Sequence, residues 1–431
     1  MTLMKNDGIL PIRDKKKKLL VVGPGGDCLR LLIGHYTHVA QMEMMMLMMS
    51  QGKEVQPGVN PEDVLDKGNP EDESVFADVV TKMSTSNLSD KHLLDGMIRQ
   101  MYPEMKTTFE ALREIYESVE FVEGCDYKGE DDSHISEAVE AAKKADIVIC
   151  CVGGKCGLGG SCTTGEAVDS SNLNLMGQQE LLMREVFAAN PCMVIVHTDG
   201  RPLCSEWAYE NVPAILEGWL PAIYGGQAIA EVISGQYNPA GRTPLSVPRS
   251  AGHLPVYHYQ NNGSSAAYDR GLIDTGYIDS PSSPLAPFGY GLSYTTFDYG
   301  SLQIDEVDEE YLEAQITVTN VGGQDGEEVV QLYGRDLYAS AIRPRQELIG
   351  FCRVFLKAEE SKKVCFRFRK DQLAFEDNDF HWILEKGKFS FFVGGHSDDI
   401  RSEAFFFQEK TVAVNPRTRG FFADCRVETV R

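Results

Sequence analysis

A chain of 431 residues with 42% hydrophobic and 24% charged residues is long enough for at least two buried cores and too apolar for a disordered or fibrous protein. Its 41 Lys and Arg stand against 64 Asp and Glu, a formal charge of −23 that repels phosphate backbones and anionic lipid, so neither nucleic acid nor a membrane is expected as a partner. Met1 to Pro11 carry no basic segment followed by an apolar core, and no later run is long enough to span a bilayer, which leads to an expected cytoplasmic location.

The eleven cysteines fit that compartment, because an odd number with Cys150 and Cys151 adjacent in an apolar run reads as reduced thiols. Cys156 and Cys162 flank a Gly-rich loop, but no C-x-x-C pair or nearby His completes a zinc set. His35 and His38 have no carboxylate partner in the pattern either, and neither a metal nor any other cofactor is expected.

From Lys18 to Pro248 short apolar runs alternate with amphipathic segments, the rhythm of parallel strands joined by crossover helices. The basic run Lys15 to Lys18 is a solvated approach to the first of these strands. Strands are expected at Leu19 to Gly23, Glu120 to Gly124, Asp146 to Gly153, Met193 to Thr198, Ala214 to Trp219 and Pro244 to Val247. Helices are expected at Ser136 to Ala145, Gln178 to Ala189 and Gly226 to Ile233, where apolar residues recur at helical spacing. An insertion at 39–105 breaks the rhythm with the Met-rich run Met42 to Met49 and further helices, and is a candidate contributor to substrate choice.

Between His253 and Tyr299 the chain turns rich in Gly, Ser, Pro and Tyr, the composition of a connector. Beyond it Glu313 to Asn320, Glu328 to Gly334, Gly350 to Leu356, Lys363 to Phe368 and Lys388 to Gly394 read as the short strands of a β-sandwich. The expected fold is an α/β sandwich, a mostly parallel sheet flanked by helices, over 1–250, a connector over 251–298, an all-β sandwich over 299–410 and an extension over 411–431.

Several ordered motifs resemble those of family 3 glycoside hydrolases of the β-glucosidase type. Leu3-Met4-Lys5-Asn6-Asp7-Gly8-Ile9-Leu10-Pro11-Ile12 looks like the opening of that family's second domain, and Asn238-Pro239-Ala240-Gly241-Arg242-Thr243-Pro244 resembles its N-P-x-G-R-x-P segment. Pro287-Phe288-Gly289-Tyr290-Gly291-Leu292-Ser293-Tyr294-Thr295 resembles its connector. Thr319-Asn320-Val321-Gly322 and Arg343-Pro344-Arg345-Gln346-Glu347-Leu348-Ile349-Gly350-Phe351 are similar to its fibronectin type III-like domain.

The resemblance implies an α/β sandwich followed by a fibronectin type III-like sandwich. Complete members also have a (β/α) barrel whose Ser-Asp-Trp segment supplies the nucleophilic Asp; none of Trp207, Trp219 and Trp382 follows a Ser-Asp pair, and Met1 stands at the second-domain opening. A barrel supplied by a separate subunit, or by a missing part of the gene product, is therefore expected, with a homo-oligomer as the other form of association.

Retaining hydrolysis needs two carboxyl groups roughly 5 Å apart, one attacking the anomeric carbon and one serving as acid and then base. In the family the acid/base loop resembles E-G-x-D-R before L-x-L-P-x-x-Q; here Gly165-Glu166-Ala167-Val168-Asp169-Ser170 precedes Leu173-Asn174-Leu175-Met176-Gly177-Gln178. The match assigns Glu166 as candidate general acid/base. Ala167 and Ser170 replace the Gly and Arg of the pattern, which bears on the loop's turn and on a charge partner for Asp169.

Asp169 is expected to orient the loop, and with Asp199 and Arg201 it forms a candidate substrate-binding set beside His197 and Thr198. Trp219 reads as core in an apolar run. The expected function is a component of a retaining β-glycosidase acting on a β-glycoside. A non-catalytic carbohydrate-binding or assembly module is the competing reading, since a fold does not guarantee activity.

Overall fold

Runs such as Ile147–Gly153 and Met193–Thr198 are buried along their whole length, the signature of strands covered by helices on both sheet faces. The computed structural model describes residues 1–50, 92, 94–159, 161–261 and 277–430, without the side chains of 46–50. These fall into two compact units, Lys5–Tyr237 with Met1, and Asn238–Arg431 with Thr2–Met4.

The strands up to Tyr237 are β1 (Thr2–Asn6), β2 (Lys18–Val22), β3 (Ser118–Val122), β4 (Ile147–Gly153), β5 (Cys156–Leu158), β6 (Thr164–Glu166), β7 (Met193–Thr198) and β8 (Ala214–Glu217). Six of them lie in one sheet in the order β1-β8-β7-β4-β2-β3. The pairs β2 with β3, β2 with β4, β4 with β7 and β7 with β8 are all parallel. From β2 the chain crosses to β3 on one side, and from β4 it proceeds to β7 on the other. The crevice beyond the carboxyl ends of β2 and β4 is therefore the topological switch point, where ligands bind in open α/β sheets.

The helices Ile135–Ala142, Gln179–Ala189 and Gly225–Ser234 lie within three residues of their expected bounds. Gln179, Leu182, Met183 and Val186 are the buried stripe of the second, and Gly235 ends the third in the left-handed region at φ 77°. Thr108–Ile115, not read from the pattern, starts on a capping box: the Thr107 hydroxyl accepts from Glu110 N at 3.1 Å and the Glu110 carboxylate from Thr107 N at 3.0 Å. The Met-rich run lies in the helix His38–Ser50, and Asp95–Met101 is a second helix of the insertion. The insertion's residues 51–91 and 93 lie outside the described residues.

The expected and observed strands differ in places, and β3 lies two residues before its expected bounds. Pro244 to Val247 makes only an isolated bridge between Val247 and Ala286, because the prolines at 244 and 248 have no N–H for a ladder. β8 ends at Glu217 rather than Trp219, whose φ of 56° turns the chain away.

The second unit holds β9 (Phe297–Tyr299), β10 (Gln303–Glu306), β11 (Tyr311–Asn320), β12 (Gly326–Asp336), β13 (Glu347–Leu356) and β14 (Ser361–Arg369). They are followed by β15 (Phe375–Glu376), β16 (Trp382–Leu384), β17 (Gly387–Gly394), β18 (Ser402–Gln408), β19 (Val412–Ala413) and β20 (Asp424–Thr429). One antiparallel sheet runs β10-β11-β14-β20 with β9 on β11, the other β13-β12-β17-β18. Alternate residues of both, among them Leu312, Ile316, Val330, Leu332, Phe366, Phe368, Phe389 and Phe391, form one buried cluster.

The expectation of eleven reduced thiols is corrected here: nine are free, and Cys352 on β13 is bridged to Cys425 on β20 across a separation of 73 residues. The bond ties the edge strand of one sheet to the edge strand of the other. Spacing of 73 residues carries no pairing signal that could be read from sequence.

Two motifs of this unit, Asn238–Pro244 and Pro287–Thr295, bind each other. Asn238 Oδ1 accepts from Ser293 Oγ at 2.9 Å and Tyr294 N at 2.7 Å, while its Nδ2 donates to Asp325 O at 3.0 Å. Thr243 Oγ1 donates to Pro287 O at 2.9 Å, and Arg242 pairs with Glu328 at 2.7 Å, both side chains being largely buried. Leu292 N donates to Leu3 O at 2.8 Å, with Leu3 fully buried.

Candidate functional site

The loops leaving β2 and β4 meet over a buried charge cluster. Arg30, fully buried, donates to Glu43 Oε2 from Nε at 2.9 Å and from Nη2 at 2.7 Å, and to Cys156 O from Nη2 at 3.0 Å. The Lys155 ammonium, also fully buried, bonds the other Glu43 oxygen. Burial alone would raise the Glu43 pKa, but the two cations and their hydrogen bonds more than offset it and hold the carboxyl below its ordinary value. Gln179 braces the end of β4 from below: its amide accepts from Gly153 N at 2.9 Å and donates to Gly153 O at 2.8 Å and Tyr127 O at 3.0 Å.

Above the cluster β5 and β6 form a two-stranded parallel ribbon with Cys156 opposite Thr164 and Leu158 opposite Glu166. Gly157 and Gly165 face each other in that register, and a Cβ on Gly165, at φ 142°, would lie 1.8 Å from Gly157 O. Glu166 ends the ribbon with an exposed side chain. Ala167 follows at φ 59°, in the left-handed region, so the turn that the family's Gly would make is made here by a strained Ala. Tyr36, on the loop after β2, is exposed, and its interaction with the Glu166 carboxylate raises the phenol's pKa.

Asp169 is exposed, and its Oδ1 accepts from Ser170 N at 2.7 Å, a local bond of the loop. Arg201 is committed to the same loop further on, donating to Asn172 O at 3.1 Å and Asn174 O at 3.3 Å. Asp199, 1% exposed at the end of β7, keeps one oxygen without a hydrogen-bond partner. Burial pushes its pKa up to about 6 against the opposing pull of Arg201 and of the backbone N–H of Gly200, with Glu217 adding to the rise. His197 lies fully buried between Ser205 Oγ at 3.1 Å and Glu217 Oε2 at 3.3 Å. Trp219 is half-buried. Glu166 and Asp169 thus face solvent, while Asp199 and Arg201 lie beneath the surface of the unit.

Among the described residues one set brings metal-ligating atoms within 4.8 Å of one another: Cys28, His92 and Asp95, with His92 Nδ1 and Asp95 Oδ2 already paired at 2.9 Å. Those residues carry no sequence spacing of a metal motif.

The glycosyl hydrolase family 3 C-terminal domain model matches residues 1–294, and the fibronectin type III-like domain model matches 328–397. The chain belongs to glycosyl hydrolase family 3. It is 36% identical over 292 residues to a β-xylosidase of Formosa agariphila, an alignment covering 66% of this chain and 39% of the relative. It is 36% identical over 276 residues to the periplasmic β-glucosidase of Salmonella typhimurium, covering 63% of this chain and 35% of the relative. The crystal structure of a β-glucosidase from Listeria innocua with isofagomine superposes with a TM-score of 0.70 at 26% identity, covering 95% of this chain and 48% of that one. The chain spans less than half the length of these relatives.

Within this family 3 chain, sequence reasoning missed Arg30, Glu43 and Lys155, of which Lys155 meets the other two only through the adjacency of β2 and β4. Gln179 had a signal: it is the residue at the Q position when L-x-L-P-x-x-Q is laid on Leu173.

Proposed function

We propose that this chain supplies the acid/base half of a retaining β-glycosidase, with the nucleophilic carboxylate donated by a barrel outside these 431 residues. The observation that carries the reading is an exposed Glu166 at the tip of the β5–β6 ribbon, beyond the switch point between β2 and β4. The β-xylosidase and β-glucosidase relatives support a β-glycoside as substrate.

In the first step the protonated Glu166 gives its proton to the glycosidic oxygen as the C–O bond breaks and the nucleophile's oxygen bonds the anomeric carbon. In the second, the Glu166 carboxylate takes a proton from water as the water oxygen displaces the nucleophile. Glu43, Arg30, Lys155 and Gln179 hold the base of the ribbon, and Arg201 holds the loop that follows it.

The test is hydrolysis of aryl β-glucosides and β-xylosides by the chain alone and mixed with a family 3 barrel protein. Activity is expected only on mixing. Glu166→Gln should lower it about 10²–10⁴-fold for poor leaving groups and far less for activated ones, the range of a lost general acid. Full activity of the chain alone, or an unaffected Glu166→Gln mixture, would sink the reading.

A further inference from the structure

We propose that Cys28, His92 and Asp95 form a zinc site that fastens the helix Asp95–Met101 to the loop after β2. One ligand atom from each side chain lies within 4.8 Å of the other two. Ligands of a tetrahedral zinc stand about 3.5 Å apart, given metal–ligand lengths of about 2.0–2.3 Å, so small side-chain rotations close this set around an ion. The backbone prepares half of it: Asp95 N donates to His92 O at 3.0 Å, a turn that brings His92 Nδ1 to 2.9 Å from Asp95 Oδ2. Leu94 and Ile98, both buried, seat the helix against the unit. Cys28 comes from the other segment, a thiol outside any disulfide, packed with Leu31 and Tyr127.

Two features of the set call for a cation. Asp95 Oδ1 is buried with no hydrogen-bond partner, the bond to His92 being made by Oδ2. An orphaned carboxylate oxygen is costly, and a metal ion supplies its partner. The mixture of donors is the second feature: thiolate and imidazole both suit zinc, whereas an all-oxygen set would suit calcium or magnesium. Charge closes as well, since Zn²⁺ offsets one Cys28 thiolate and one Asp95 carboxylate, with His92 neutral, and binding releases the Cys28 thiol proton to solvent. Cys28 is wholly buried, while the His92 side chain is 43% exposed and gives the ion its way in. With three protein ligands the fourth position falls to water, so the ion should exchange with a chelator.

The experiment uses the full chain, stripped with EDTA and passed into metal-free buffer, then titrated with Zn²⁺ against a chromophoric chelator and with Co²⁺ followed by absorption. One equivalent of each is expected, Co²⁺ giving a sulfur-to-metal charge-transfer band that Cys28→Ala removes. His92→Ala changes an exposed residue, so the fold is kept where the loss of buried Cys28 might disturb it. Its zinc affinity should fall at least about 100-fold, because even outer-shell partners of zinc ligands are worth about 10–100-fold. Zinc should raise the Tm of the wild type and leave that of His92→Ala where it was. Absence of stoichiometric zinc, or a Co²⁺ complex without the charge-transfer band, overturns the proposal. Equal zinc binding by wild type and His92→Ala also overturns it, and assigns the metal to other thiols among the nine free ones. None of these readings needs glycosidase activity, so the outcome is separate from the acid/base role of Glu166.

Discussion

Asp199→Asn is expected to make the first unit more stable at neutral pH and no more stable in acid. The folded carboxyl titrates at about 6 against an ordinary 3.8, so the folded chain holds the proton more tightly than the unfolded chain. Below pH 4 both states are protonated and burial of Asp199 carries no charge penalty. As pH rises through 4 to 6 the unfolded state ionises freely while the folded state must ionise against burial, and stability falls. The rise from 3.8 to about 6 corresponds to a loss of about 3 kcal/mol by pH 7, an upper bound for the gain on substitution. Urea unfolding at pH 4 and pH 7 reads it out, with Trp207 and Trp219 reporting on the first unit in a Trp382→Phe background. A gain of the same size at both pH values, or a loss at pH 7, would refute the reasoning, the latter by showing that Arg201 and the backbone N–H groups outweigh burial.

Glu43→Gln should destabilise the first unit by about 3–5 kcal/mol, because it leaves the buried Arg30 and Lys155 without a counter-charge; urea unfolding at pH 7 checks this, and a change below 1 kcal/mol contradicts it. Ala167→Gly should stabilise by about 0.5–1 kcal/mol, the left-handed strain of roughly 1–2 kcal/mol less the extra backbone entropy of Gly, measured as slower hydrogen exchange around β6. Cys352→Ser with Cys425→Ser, or reduction of the wild type, should cost the second unit about 4 kcal/mol, the closure entropy of a 73-residue loop, followed by Trp382 emission in urea.

Legibility from sequence followed locality. The run Met193 to Thr198 was readable to the residue because six consecutive buried positions leave little choice of face, and the sandwich strands were readable because side chains alternate along them. β5 and β6 were not, since three-residue strands built from Cys, Gly, Thr and Glu have no apolar period to detect. Pro244 to Val247 shows the opposite error, in which apolar content passed for a strand that its flanking prolines deny. At the site, Glu166 was found through motif resemblance, while its surroundings were hidden because Arg30, Glu43 and Lys155 become neighbours only once β2 lies beside β4. Ala167 was visible as a departure from pattern, but the φ of 59° that retains the turn was not.

The bridge between Leu3 and Leu292 sets a timetable for synthesis. Both residues belong to the second unit, yet 289 positions separate them, and at roughly 5–20 residues per second the first waits about 15–60 s on the ribosome for the second. Throughout that interval Lys5–Tyr237 can collapse as its strands emerge, before the bridge of Leu3 to Leu292 can form. The bridge that Leu3 makes is thus a late contact, formed only after the whole of Lys5–Tyr237 has been synthesised.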